Sequence, residues 1–367
     1  MDVTNTPAMT DTSEPHIEKT TREVPVTFSG DTKQFFGIWV VNILLTIVTF
    51  GIYAAWAKVR TQQYFYGNTK IEGHAFSYLA QPLQILKGRI LAVVLFAGYS
   101  LALEFYPLVG IGILILMIFA MPWVLNQSLR FNLRMSSYRN VRFSFKGNYG
   151  DAFVYWILLP IVSVFTMYLM MPWALKKADE YVYNNINYGD KPLKANLDTG
   201  QYYETVLWIF VASMATMVVL FAATLILVGM GTAIDLESIK SSSTIVVISI
   251  VGTALYILTI SVFSAIYKGR IRNHIFNNSE YDGLATFKSD VQITPYSWLI
   301  FVNVVAIICS AGLAYPWVKI RTARFLAQAT TVIIENDADN VLDVMAESQS
   351  AFGEEAAEVF DIDIALT

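Results

Sequence analysis

Two asparagines in otherwise apolar stretches have the clearest potential for chemistry in this chain. Asn42 and Asn303 each lie fourteen residues before a tryptophan, Trp56 and Trp317 respectively. Hydrocarbon offers an amide no hydrogen-bond partner, so such a side chain bonds to a neighbouring helix or faces a polar space. The two asparagines therefore predict either an interhelical hydrogen bond or the lining of a polar pocket or pore.

A second group of candidates consists of aromatic and basic side chains at the ends of apolar stretches. The pattern occurs five times: usually an aromatic residue, in most copies a basic residue four places later, and often an asparagine eight places after that. Such side chains anchor helices at the membrane surface, and the basic ones predict contacts with anionic lipid headgroups. The candidates are Trp56, Lys58, Arg60, Trp123, Arg130, Arg134, Trp173, Lys177, Arg270, Arg272, Trp317, Arg321 and Arg324.

The sequence contains no recognisable motif for catalysis or metal binding. It lacks the His-Glu-x-x-His motif of metalloproteases, a Walker-type phosphate-binding loop and a Gly-x-Ser-x-Gly motif. The three histidines, His16, His74 and His274, are too scattered for a convincing metal site. We therefore expect a protein that is not an enzyme, with no catalytic residues, no metal and no cofactor.

The composition is that of an integral membrane protein. Of 367 residues, 55% are hydrophobic and 15% are charged, whereas a soluble domain carries about 25% charged residues. The net charge of −4 comes from the last 33 residues, which hold ten acids and no Lys or Arg. The rest is mildly basic, so charge gives no argument for a nucleic-acid partner. Cys309 is the lone cysteine, which excludes an intrachain disulfide.

Seven apolar segments predict helices that enter the membrane. Most approach the roughly 20 residues that a crossing helix needs, and long apolar runs satisfy their backbone there as helices. The segments cover residues 35–57, 85–105, 108–125, 152–175, 206–228, 245–267 and 296–318. The first, fourth and seventh differ from the others, because each has a tryptophan near both ends and an internal helix breaker. The breakers are Thr49-Phe50-Gly51, Pro160 and Ser310-Ala311-Gly312.

The expected fold is an all-α polytopic membrane protein built from internal tandem repeats. Helical pairs alternate in it with re-entrant or short spanning segments, and short amphipathic or β pieces lie on the cytoplasmic side. Strands are predicted at Val141–Phe145 and at residues 76–78. The predicted pieces are a disordered polar tail (1–27), membrane repeat 1 (28–147), membrane repeat 2 (148–290), a membrane half repeat (291–334) and an acidic tail (335–367).

Two membrane topologies remain open. If all seven segments cross, the basic residues are divided almost evenly between the two sides. If the first, fourth and seventh are re-entrant, 24 of the 25 Lys and Arg lie in the cytoplasm, as do both termini. The charge distribution favours the re-entrant topology, although these three segments are long enough to cross.

A resemblance to a known family is carried by residues 35–78. Their sequence is FFGIWVVNILLTIVTFGIYAAWAKVRTQQYFYGNTKIEGHAFSY, and PLQILKGRI follows shortly after. This pattern, with its Thr-x-Gly-Ile-Tyr-x-x-Trp-Ala-Lys-x-Arg core, resembles the YjgN-like family of bacterial inner-membrane proteins. The resemblance covers nearly the whole chain and departs from the family pattern at Ile266 and Pro160. It implies a multi-pass bacterial inner-membrane protein, and it brings no established activity.

Two classes of function remain. Transport, a channel or lipid handling is favoured by the re-entrant segments and internal repeats. The alternative is a non-enzymatic scaffold or accessory subunit, for which the resemblance implies a membrane metalloprotease as partner. Expected partners are the lipid bilayer with its anionic headgroups and a protein recruited by the acidic tail, and no nucleic acid. That tail alternatively folds as a helix over residues 340–360 against the basic surface.

Overall fold

Helices alternate with pairs of short strands along the chain. The computed structural model describes residues 21–233, 242–335 and 344–345. The helices are α1 (Thr32–Val48), α2 (Ala54–Asn68), α3 (Pro82–Phe105), α4 (Pro107–Arg134), α5 (Tyr149–Phe165), α6 (Met171–Asn184), α7 (Thr199–Ala233), α8 (Ser242–Asn277), α9 (Ile293–Cys309) and α10 (Tyr315–Gln328). The strands are β1 (Thr21–Pro25), β2 (Thr27–Phe28), β3 (Thr69–Ile71), β4 (His74–Tyr78), β5 (Ser136–Tyr138), β6 (Val141–Phe145), β7 (Ile186–Tyr188), β8 (Lys191–Ala195), β9 (Ser279–Tyr281), β10 (Ala285–Ser289) and β11 (Thr330–Glu335).

Tight turns join eight of these strands into four hairpins. The backbone has positive φ at both residues of Glu72-Gly73 (50° and 79°) and of Arg139-Asn140 (46° and 65°). Two-residue turns of this kind match the twist of the flanking strands. Gly189 and Gly283 supply the positive φ at the other two turns, 60° and 73°. The resulting hairpins are β3–β4, β5–β6, β7–β8 and β9–β10.

All eleven strands belong to one antiparallel sheet whose two ends are adjacent in sequence. The strand order is β1-β11-β10-β9-β8-β7-β6-β5-β4-β3-β2. Only Val26 separates β1 from β2, and its N–H donates to the Thr330 carbonyl at 3.0 Å. The sheet therefore curls into a nearly closed barrel, which leaves few unpaired edge groups.

This barrel shows that the prediction of an all-α fold is wrong. The described residues are mostly helical, but they also contain an eleven-stranded sheet. Its strands have only two to six residues, too few for the alternation that identifies strands in a sequence. Strands are confirmed at the two predicted positions, which lie in β6 and β4. β1 also begins inside the segment that was predicted to be disordered through residue 27.

The first, fourth and seventh apolar segments form short helical hairpins that return to the sheet. The chain reverses at Phe50-Gly51, Met167-Tyr168 and Ala311-Gly312, where φ is positive at both residues. α1 packs against α2, α5 against α6 and α9 against α10. Two of the turns lie at predicted breakers, but Pro160 was the wrong residue for the third. There α5 continues past Pro160 after a π-helical turn over Val154–Leu158.

Four helical stretches among the described residues are long and apolar enough to cross a membrane. They are α3, α4, residues 199–219 of α7 and residues 252–277 of α8. α3 packs against α4, and α7 packs against α8. The long helices thus form two pairs, which lie between the three short hairpins in sequence.

The recurring asparagine of the sequence pattern caps helices where they meet the sheet. Asn68, Asn185 and Asn278 each donate from the side-chain amide to the carbonyl of the residue four places earlier, at 2.8 Å in all three cases. The last carbonyls of a helix lack backbone partners. The amide therefore satisfies one of them at the point where the chain leaves the helix and enters a strand.

The glycine that leads into α5 is expected to tolerate no side chain. A Cβ at Gly147 would overlap the Tyr181 hydroxyl and the Phe145 ring, so Gly147→Ala must shift the junction between β6 and α5. We expect the free energy of unfolding to fall by about 1–3 kcal/mol. Unfolding in detergent measures this loss. Gly37→Ala is the control, because no heavy atom outside its own helix backbone lies within 4 Å. Equal stability of the two variants would contradict the packing described.

Candidate functional site

The barrel surrounds a cavity lined almost wholly by apolar and aromatic side chains. We call it the barrel chamber, and its volume is about 550 Å³. Alternate residues of a strand point to opposite faces of the sheet, and the inward positions hold large hydrophobic side chains. Representative lining residues are Phe76, Tyr138, Phe143, Tyr188, Tyr281 and Phe287.

Tyrosine hydroxyls of the chamber wall bond to the backbone of the neighbouring hairpin. Tyr138 donates to the Ile71 carbonyl at 3.0 Å, and Tyr188 donates to the Tyr138 carbonyl at 2.9 Å. Burial raises the pKa of Tyr188 and of Tyr281 well above the usual tyrosine range. These hydroxyls therefore stay neutral at physiological pH, and the aromatic rings line the chamber.

The chamber extends from the ends of the helices toward the hairpin turns. Phe65, Leu133 and Phe276, from the last turns of α2, α4 and α8, line it on the helix side. Near the turns, Met345 is 6% exposed and packs beside Gly189 in the same apolar cluster as Tyr188. A residue of the C-terminal segment thus covers part of the barrel. The rest of the helix predicted over residues 340–360 lies outside the described residues.

The lining of the barrel chamber suits the binding of an apolar ligand better than it suits catalysis. Its polar side chains are the tyrosine hydroxyls and those of Thr69, Ser136 and Ser279. A volume of about 550 Å³ is typical of sites for small organic molecules. Among the described residues, no group of His, Cys, Asp and Glu could hold a metal ion.

A second cavity lies outside the barrel, between α1, α2 and α10. We call it the interhelical cleft, and its volume is about 700 Å³. Its polar side chains include Asn42, Thr46, Lys58, Thr61, Gln62, Lys319 and Thr322. Asn42 is 5% exposed, and its Nδ2 donates to the Ala57 carbonyl at 3.5 Å. Its Oδ1 is buried without a hydrogen-bond partner.

Asn303 occupies the corresponding place in the last short hairpin, but its contacts are different. Its Nδ2 donates to Thr322 Oγ1 at 3.0 Å, and Arg321 donates to its Oδ1 at 3.5 Å. Thr322 lines the interhelical cleft, whereas Asn303 does not. Asn42 therefore lines the interhelical cleft, whereas Asn303 forms a hydrogen bond between helices.

Three of the predicted headgroup residues, all arginines, bind loops and strands at the ends of helices. Arg130 and Arg324 donate to backbone carbonyls in the loops that lead into α5 and α1, at 2.6 Å and 3.1 Å. Arg272 donates to Thr330 Oγ1 at 2.7 Å and lies over the Phe276 ring. These three arginines fix helix ends to neighbouring loops and strands.

The other predicted headgroup residues form ion pairs or ring contacts, or are at least partly exposed. Lys177 pairs with Glu180, and Arg270 pairs with Glu204. Arg321 lies over the Trp317 ring at 5.0 Å. The exposed members are Lys58, Arg60, Trp123, Arg134 and Trp317, and the partly buried tryptophans are Trp56 and Trp173.

Sequence reasoning missed the barrel chamber and the contribution of Lys319 to the cleft. A signal for the chamber exists in the sequence. Tyr138, Tyr188 and Tyr281 are each followed directly by two turn-forming residues, Arg-Asn, Gly-Asp and Asp-Gly. In three of the four hairpins, a tyrosine before the tight turn thus marks the inward position at the end of the first strand.

Comparison with known proteins matches nearly the whole chain. The profile of a family described as "Bacterial protein of unknown function (DUF898)" matches residues 23–359. The inner membrane protein YjgN of Salmonella typhimurium strain LT2 is 25% identical over 355 residues, which is 86% of this chain and 89% of the relative. The proteins of that name from Escherichia coli K12 and O157:H7 are each 23% identical, over 84% of this chain and 88% of the relative. No solved structure is significantly similar.

The two asparagines are expected to differ in their contribution to stability. Asn303→Leu removes both hydrogen bonds of that amide and should lower the free energy of unfolding by about 0.5–1.5 kcal/mol. Asn42→Leu removes one long bond together with an unpaired buried acceptor, so stability should stay equal or rise. Thermal unfolding of both variants in the same detergent measures the difference. A larger loss in Asn42→Leu would show that Asn42 is structural.

Proposed function

We propose that this chain, which belongs to the family of bacterial proteins of unknown function matched above, handles lipids without catalysing a reaction. It is a multi-pass protein of the inner membrane, as the names of its relatives and its four long apolar helices indicate. In the proposed function, the barrel chamber holds an apolar chain that has left the bilayer. The chamber itself is the observation that carries this proposal.

The lining and the position of the barrel chamber both support lipid handling. Exposing a methylene group to water costs about 0.8 kcal/mol, so a lipid chain outside the bilayer needs an apolar enclosure. The chamber offers one of about 550 Å³. It begins at Phe65, Leu133 and Phe276, where helices end and strands begin. An apolar lining favours a lipid chain over an ion or a polar solute.

The short hairpins are proposed to dip into the cytoplasmic leaflet and return. α1 and α9 have 17 residues each and are therefore about 25 Å long, less than the roughly 30 Å of the hydrocarbon core. Their turn regions expose apolar side chains: Phe50 is 98% exposed and Met167 is 87% exposed. Large exposed apolar side chains of this kind are stabilised by burial in lipid.

The barrel and both termini are then proposed to be cytoplasmic. Each short hairpin leaves the sheet and returns to it, which supports a position of both its ends on one side of the membrane. This re-entrant arrangement places 24 of the 25 Lys and Arg on the cytoplasmic side. The anionic headgroups of that leaflet are the proposed contacts of the exposed basic residues.

A scaffold or accessory subunit is the other class of function that the sequence left open. A scaffold needs an exposed protein-binding face but no internal cavity, so the barrel chamber favours lipid handling. Most of the acidic tail lies outside the described residues. Recruitment of a protein by that tail, including a metalloprotease, stays a prediction.

Filling the chamber tests the proposed function. Ala285 lines the chamber, and the next residue of the strand, Thr286, points to the opposite face. We expect the purified protein to bind a fluorescent fatty acid, and Ala285→Trp to weaken this binding by about tenfold or more. Titration in detergent measures the affinity. Thr286→Trp is the matched control and should bind like the unchanged protein.

Two results would overturn the proposed function. One is that the unchanged protein binds no apolar probe. The other is that Ala285→Trp and Thr286→Trp bind the probe equally well. Thermal unfolding of both variants separates loss of the chamber from loss of the fold.

Cysteine labelling tests the proposed re-entrant topology. In a Cys309→Ser background, cysteines at Lys58, Lys177 and Arg321 should react only from the cytoplasmic side. A cysteine at the hairpin tip, Phe50→Cys, should stay unlabelled by a polar reagent from the periplasm. Tyr106→Cys, between α3 and α4, is the periplasmic control. Periplasmic labelling at position 177 would restore seven crossings.

A further inference from the structure

We infer that the interhelical cleft binds the headgroup of an anionic glycerophospholipid that carries a hydroxyl, with Asn42, Lys58 and Lys319 as its ligands. This inference rests on the proposed lipid handling, and it adds the lipid class and the place where the lipid docks. The observation that points to a ligand is Asn42 Oδ1, a buried acceptor with no partner.

The orientation of the Asn42 amide follows from its neighbour. The Ala57 carbonyl can only accept a hydrogen bond, so Nδ2 faces it and Oδ1 has no partner in a side chain that lines the cleft. Asn42 is buried, with 5% of its surface exposed, and a buried acceptor without a hydrogen bond is unfavourable. A hydroxyl from a ligand in the cleft would satisfy this oxygen.

Two lysines give the cleft a positive charge that no carboxylate of the described residues neutralises by an ion pair. Lys58 and Lys319 each lie seven residues after the turn glycine of their hairpins, and both line the cleft. Within the described ranges, neither has a carboxylate at ion-pair distance. In the second short hairpin, by contrast, Lys176 and Lys177 both pair with Glu180. The unpaired lysines of the cleft therefore fit a phosphate group.

The position of the cleft favours a lipid as the source of that phosphate. Its walls belong to short hairpins whose tips expose apolar side chains, as at Phe50. Phe65 lines both the cleft and the barrel chamber, so the two cavities adjoin. A headgroup bound in the cleft would hold its acyl chains near the chamber.

Phosphatidylglycerol has the required chemistry. Its phosphate can bind between the lysines, and a hydroxyl of its terminal glycerol can donate to Asn42 Oδ1. Phosphatidylcholine has the same phosphate, but its headgroup carries a quaternary ammonium and no hydrogen-bond donor. The comparison of these two lipids therefore tests both interactions.

The test measures which lipid the full-length protein retains. Detergent-solubilised protein is exchanged into equal amounts of phosphatidylglycerol and phosphatidylcholine, and native mass spectrometry counts the bound lipids. We expect retention of phosphatidylglycerol to exceed that of phosphatidylcholine by about tenfold. Asn42→Leu and the double variant Lys58→Gln/Lys319→Gln should each lose most of this preference. Lys177→Gln, which changes a paired lysine outside the cleft, should keep it.

Several results would overturn this inference. They are equal retention of the two lipids, loss of the preference in Lys177→Gln to the same degree as in the double variant, and unchanged preference in both cleft variants. Soluble glycerol 3-phosphate that competes as well as the lipid would show a site for a free phosphate ester instead. The double variant changes exposed side chains, so its folding is expected to be preserved, and thermal unfolding checks this.

The chamber variant separates this inference from the proposed function. Ala285→Trp should lose the fatty-acid probe and keep the preference for phosphatidylglycerol. If the unchanged protein shows that preference but binds no apolar probe, the proposed function fails and the headgroup site stands. If it binds the probe but prefers neither lipid, the headgroup site fails alone.

Discussion

The hydrogen bonds that close the barrel are the interactions on which the rest of the structure depends. β1 and β2 are consecutive, yet they pair with strands from opposite ends of the chain, β11 and β3. The Val26 N–H bond to Thr330 continues this closure between the two strands, and Arg22 of β1 donates to Glu72 in the β3–β4 turn at 3.0 Å. Strands of two to six residues are marginal in isolation. Pairing with neighbouring strands stabilises them, and the barrel in turn holds the helix pairs in place.

Closure of the barrel also explains how the same strands and short hairpins create two cavities. Inside the barrel, inward-facing side chains surround the barrel chamber, and the hydroxyls of Tyr138 and Tyr188 are satisfied by backbone carbonyls. Outside it, closure brings the first and last short hairpins together, because β2 precedes α1 and β11 follows α10. Trp39 of α1 stacks on Tyr315 of α10 at this contact. The interhelical cleft therefore contains residues that are far apart in sequence, and Phe65 lies between it and the chamber.

The sequence predicted the membrane class, the locations of the apolar helices and the difference of the first, fourth and seventh segments from the others. These follow from local composition, and two of the three turns lie where Gly51 and Gly312 break the apolar pattern. The barrel was not predictable in the same way, because its strands are too short to show a period and pair with strands from other hairpins. Asn42, a candidate from the sequence, lines the interhelical cleft. Lys319 was not identified, because only closure of the barrel brings it to the interhelical cleft beside Asn42.

The most direct test of the central claim is an experimental structure of the protein extracted together with its native lipids. The account predicts elongated density inside the barrel, in contact with Tyr138, Tyr188 and Tyr281. It also predicts that the strand order remains closed through Val26 and Thr330. A barrel that is open at this point, or a chamber filled by the protein's own side chains with lipid only on the outer surface, would contradict the account.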